Sequence, residues 1–160
     1  MSAVGPARMA AAGPRAGEAA AEYELLIEDI YEGYRLHYGS AQLDQSEADL
    51  ALLAGDQLYA RGLARLVEMG DLVAVAELAD VITLTALAHG AGDEELAGAI
   101  WEAGAWAVGW GPSTEHEQAK ALARAGAPQA LEAMRAVVAG AADATGERQY
   151  GSRSTPNRYS

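Results

Sequence analysis

Three sets of residues in this sequence have types and spacings that can do chemistry: a row of carboxylates, three histidines and three tryptophans. Glu24, Glu28 and Glu32 stand four apart, so a helix stacks them on one face with Asp29 beside them. Such a row can hold a hard cation through carboxylate oxygens. Its ordinary role is a solvated face, here partly neutralised by Arg35 three residues beyond Glu32. His37, His89 and His116 fall in separate segments with no H-x-x-x-H pair, and two of them sit beside expected helix ends. They read as surface or capping residues rather than metal ligands.

Trp106 and Trp110 are four apart and share a helix face, whereas Trp101 points elsewhere. The pair can line an apolar pocket for a prenyl chain or similar lipid-like ligand. Tryptophan is also enriched in cores and at protein interfaces, which is the commoner use. Glu77 and Asp80 interrupt an otherwise apolar stretch and read as its one wet edge. Gly39-Ser40 and Gly151-Ser152 lack the G-x-S-x-G setting of a serine nucleophile, and no glycine-rich phosphate loop is present. The absence of cysteine rules out disulfides, thiolate metal sites and a cysteine nucleophile together.

These residues need elements to position them, and the apolar periodicity is helical throughout. The pattern predicts an all-α, single-domain bundle of about six helices across 21–145. Residues 1–20 form an Ala/Gly/Pro-rich arm expected to be disordered, and 146–160 a flexible polar tail. The first helix is expected over 21–36, with Tyr23, Ile27, Ile30 and Tyr34 at spacings of three and four. The second follows Ser46 as N-cap and ends at Gly70. Asp71 caps a third helix, ending at Gly90, that is apolar nearly all round and so is expected to be the central buried element. Asp93 opens the fourth, which carries the tryptophans. Thr114 with Glu117 suggests a capping box on a short fifth helix, and Pro128 starts the sixth. No segment reads as a strand.

A length of 160 residues suffices for a packed core without staples. The net charge of −12, with one lysine and scattered arginines, opposes binding to a phosphate backbone, so nucleic acid is excluded as a partner. No run of about 18 apolar residues lacks charge, which argues against a membrane span. The N-terminal alanines are broken by Pro6, Gly13, Pro14 and Glu18, leaving no export signal. A cytoplasmic protein is the expectation.

Two segments carry a family resemblance. LLAGDQLYARGLARL, from Leu52 to Leu66, resembles the helix of trans-isoprenyl diphosphate synthases (polyprenyl synthetases) that typically reads LAGDYLLARAL. Upstream, LLIEDIYEGYRLHYG resembles the first aspartate-rich segment of that family, LIHDDxxD followed by RRG. The resemblance implies a partial isoprenoid-synthase-like fold, with Glu28, Asp29 and Glu32 standing where the metal-binding aspartates would be. Magnesium is then implied only if this altered acidic set binds it, and no other cofactor is. Gly55, Asp56, Tyr59 and Gly62 become candidate ligand or interface residues, alongside Trp106 and Trp110.

The departures from the family pattern are specific. His37 and Tyr38 replace the paired arginines before Gly39, and the glycine-glycine-lysine-arginine segment, the lysine-threonine pair and the second aspartate-rich motif are missing. Prenyl transfer needs magnesium and basic side chains to balance two diphosphates. The resemblance therefore implies a truncated, non-catalytic or accessory relative that binds an isoprenoid or a protein partner, as a homo-oligomer or as a heteromer with a prenyl synthase. The alternative is an unrelated helical protein-interaction module with no ligand chemistry.

Overall fold

The computed structural model describes residues 4–39 and 42–151, and these form an all-α bundle. Seven α-helices follow one another: α1 (Pro6–Ala11), α2 (Ala20–Tyr38), α3 (Gln45–Glu68), α4 (Leu72–Gly90), α5 (Glu94–Trp110), α6 (Thr114–Arg124) and α7 (Ala130–Gly151). A 3-10 turn, Gly17–Ala19, leads into α2. Short connections pair the helices as hairpins: α2 with α3, α4 with α5, and α6 with α7. Helix α5 touches α1, α4 and α7 and forms the hub.

The helix starts are written in the sequence. Asp71 accepts a hydrogen bond from Ala74 N, and Asp93 from Leu96 N, so each caps the helix that follows it. Gly70 adopts φ +78, the left-handed conformation that lets the chain leave α3 and turn into α4. Two caps differ from expectation. Asp44, rather than Ser46, caps α3 through a reciprocal box in which Asp44 accepts from Glu47 N and Glu47 accepts from Asp44 N. Ser113, one residue before Thr114, caps α6 by accepting from His116 N.

Three larger expectations are corrected. The arm up to residue 20, expected to be disordered, contains α1, whose Ala7 and Ala10 are buried in the core with Ala16. Its small residues let it lie very close to α5: a Cβ on Gly13 would fall 2.2 Å from the Gly109 carbonyl oxygen. Helix α4 is not the central element, since Leu72, Val73 and Leu87 are exposed on it, while eleven of the seventeen residues of α5 are buried. Alanine and glycine on α5 set this order, because short side chains let three neighbours approach one axis. The tail expected to be flexible from Gly146 is helical through Gly151; Arg153 and Arg158 lie outside the described residues.

Helix α4 is long and apolar enough to cross a membrane by length and composition, a property that a core helix can share. It carries two acids, Glu77 and Asp80, both engaged by α6.

Candidate functional site

Trp106 and Trp110 sit on the last turns of α5 with ring centroids 3.9 Å apart and planes inclined by 37°. They line a groove of about 410 Å³ between α5, the start of α6 and the middle of α7. Small residues make the space: Ala103 and Ala107 on α5, and Ala136 and Gly140 on α7. A Cβ on Gly140 would meet nothing within 4 Å. Ser113, Glu115 and His116 supply the polar part of the lining, and neither Lys nor Arg is among the lining residues. Trp101 faces the other way, as its position on the helix predicts. It is buried edge-on to Tyr31 and Tyr34 at centroid distances of 5.0 and 5.5 Å.

His116 is 2% exposed and connects the groove to a buried charge cluster. Its Nε2 lies 2.8 Å from Glu77 Oε2, and Lys120 Nζ donates to the other oxygen of Glu77 at 3.1 Å. Lys120 also donates to Asp80 at 2.8 Å and pairs with Glu117 at 2.7 Å, and Arg124 holds Asp80 from the far side. Burial alone would raise the Glu77 carboxyl, but hydrogen bonds from His116 and Lys120 outweigh it and hold the group below the usual carboxylate range. Burial would lower Lys120, and its three carboxylates raise it instead. His116 Nδ1 is buried and has no hydrogen-bond partner among the described residues.

This cluster corrects two readings. Glu77 does not line a wet edge; it is 4% exposed and faces two bases of α6. His116 is neither a surface nor a simple capping histidine, because its ring packs inward against Glu77. The signal was present in the spacing: acids at 77 and 80 face bases at 116, 120 and 124, matched rows on two helix faces. Only the adjacency of α4 and α6 makes the match meaningful.

The acidic residues of the resemblance are engaged elsewhere. Arg35 pairs with both Glu28 and Glu32, at 3.0 and 2.6 Å, and Arg61 of α3 takes Asp29 through two nitrogens at 3.0 Å. Glu22 pairs with Arg65, and Glu24 lies near Arg8. Among the described residues, no group of three or more His, Asp or Glu is placed to hold a metal ion.

Gly55 and Gly62 do share one face of α3, and α2 occupies it. A Cβ on Gly55 would strike the His37 ring at 2.5 Å, and one on Gly62 would strike Ile30 at 2.4 Å. These glycines serve contact within the chain and leave no bare face for another subunit. Asp56 Oδ1 lies 2.9 Å from His37 Nε2, and the Tyr59 ring packs on His37 at 5.0 Å. The structure thus gathers Gly55, Asp56 and Tyr59 around His37 on the α2–α3 hairpin, and none of them lines the tryptophan groove.

Sequence reasoning also missed an aromatic stack that ties α2 to α4. The Tyr38 and His89 rings lie parallel at 3.9 Å, and Tyr34 Oη is 2.7 Å from His89 Nε2. Burial pushes the Tyr34 phenol up to about 12, so it stays protonated at neutral pH. Compared with known protein families, curated proteins and solved structures, the chain matches none. The likeness to polyprenyl synthetases therefore rests on the quoted residues alone.

Proposed function

We propose that the protein is a helical, accessory binding protein of polyprenyl-synthetase-like character, which holds an apolar, isoprenoid-like molecule against Trp106 and Trp110 and performs no prenyl transfer itself. The observation that carries this reading is the groove at the tryptophan pair. Its size falls in the range of small-molecule sites, and it has the expected makeup of mostly apolar walls with a few polar groups at one side. Large aromatic faces give a flexible hydrocarbon chain extensive dispersion contact and remove apolar area from water. The absence of prenyl transfer follows from charge. Glu28, Asp29 and Glu32 are committed to arginines, and among the described residues no Lys or Arg lines the groove to receive a diphosphate.

Titration of the full chain with farnesol, followed by tryptophan fluorescence, tests the reading. Saturable binding is expected, weakened at least about tenfold in Gly140→Leu, whose side chain grows into the groove from a position with open space. Thermal unfolding by circular dichroism checks that this variant still folds. No saturable binding, or binding indifferent to both Gly140→Leu and Trp110→Ala, would overturn it.

A second reading, a protein-interaction module, draws support from a different surface. Leu50, Leu53, Gln57, Ala60, Ala64 and Val67 recur at three and four along α3 and are all exposed. That spacing forms a straight helical seam of the kind that pairs with another helix.

A further inference from the structure

We infer that the groove receives its ligand by a neutral hydroxyl head, which donates a hydrogen bond to Nδ1 of His116; this rests on the groove being the binding site. Glu77 Oε2 lies 2.8 Å from Nε2 of the same ring. A carboxylate beside Lys120 is ionised and can only accept, so Nε2 carries a proton, and in the neutral ring it is the only one. Nδ1 is then left with a lone pair. It is buried, it has no partner among the described residues, and His116 is one of the residues that line the groove. A buried acceptor left unpaired is a standing cost to the fold, and a donor arriving with the ligand removes it.

The charges around the groove decide what kind of head arrives. Among the described lining residues Glu115 is the one carboxylate, and it repels an anion. Lys120, the nearest cation in the cluster, does not line the groove and is already held by Glu77, Asp80 and Glu117. A diphosphate or carboxylate head therefore meets a negative group and no counter-charge, whereas an alcohol meets an acceptor. Nδ1 is closed to solvent, so a hydroxyl reaches it only when a wall shifts. Trp110 is the last residue of α5, is partly exposed, and is followed by Gly111 at φ +97, so the helical part of the wall ends at this corner.

The test compares three probes on the full chain: farnesol, its methyl ether, which keeps the shape and loses the donor, and farnesyl diphosphate. Farnesol is expected to bind about tenfold more tightly than the ether, the order of one net hydrogen bond, and the diphosphate no more tightly than the ether. In long-range ¹H–¹⁵N spectra, which need to resolve only His37, His89 and His116, the His116 Nδ1 resonance is expected unprotonated and shifted by farnesol but not by the ether. Equal affinities for alcohol and ether, tightest binding of the diphosphate, or an Nδ1 that is protonated at neutral pH or unmoved by farnesol would each overturn the hydroxyl assignment while leaving the groove as a binding site. Binding of none of the three would remove the site itself, and this inference with it.

Discussion

At the scale of single residues, the least replaceable group outside the apolar core is Glu77. A carboxylate with 4% exposure survives only because two bases reach it, and removing either leaves charge without compensation. Lys120→Ala is expected to cost roughly 3–5 kcal/mol, measured by chemical denaturation at pH 7. Replacing Glu77 and Lys120 together by Leu and Met is expected to cost much less than the sum of the single changes. The pH dependence has two limbs. The folded pKa of Glu77 is depressed, so its contribution is present above the unfolded value, about 4.3, and is lost as pH falls through the folded value. The folded pKa of Lys120 is raised, so its contribution is full below about 10.4 and is lost as pH rises through the folded value. In Lys120→Ala the acid limb is expected to begin at higher pH, because Glu77 has lost a partner. An unchanged acid limb would show that Lys120 does not hold Glu77. None of this was legible from Glu77 and Asp80 alone, because an acid in an apolar helix looks the same whether it meets water or a base on another helix.

At the scale of elements, the N-terminal segment shows how composition can mislead. An Ala/Gly/Pro-rich stretch lacks the large side chains that usually offset the entropy of ordering. Here its shortness in side chain is what allows close packing, as Gly13 and Gly109 bring two backbones together. Arg15 then fixes the segment: it donates to the Val108 carbonyl at 2.8 Å and pairs with Asp71 at 2.7 Å, and Tyr23 donates to the same carboxylate at 2.6 Å. Burial of Asp71 would raise its pKa, but the bonds from Tyr23, Arg15 and Ala74 N hold it below the ordinary carboxylate range. One side chain thus caps α4 and anchors the arm. Gly13→Ala is expected to destabilise by about 2 kcal/mol through overpacking and to raise amide exchange in residues 6–19, whereas Gly98→Ala, where a Cβ meets nothing, is expected to stabilise by about 0.5–1 kcal/mol. Hydrogen exchange and thermal unfolding measure both, and protection of the arm unaffected by Gly13→Ala would sink the account. The longer helices, by contrast, were legible because apolar spacing and caps such as Asp71 and Asp93 are local signals. The identity of the buried hub was not, since α4 is more apolar than α5 and only packing decides between them.

At the scale of the whole molecule, the all-α character followed directly from periodicity, but the surface that the bundle leaves open did not. The second helix of the hairpin, α3, contacts α2 and α4 and buries only Gly55, Gly62 and Leu66 fully, which is few for 24 residues. Its opposite face presents Leu50, Leu53 and Val67, and the neighbouring α4 exposes Leu72, Val73 and Leu87. Apolar side chains in such a line are a common mark of surfaces that another chain covers. The interaction reading makes a prediction that the groove reading does not. The chain is expected to sediment as more than a monomer at micromolar concentration, and Leu53→Glu, at 61% exposure and with no packing to lose, is expected to shift it to monomer without lowering its thermal stability. The net charge of −12 opposes self-association at low salt and is screened as salt rises, so the fraction associated is expected to increase with ionic strength. A covering partner of opposite charge would give the reverse dependence. Sedimentation of the full chain across salt concentration, with and without Leu53→Glu, therefore tests whether two copies meet through α3. A strict monomer under every condition, unaltered by the substitution, would leave the seam as solvated surface.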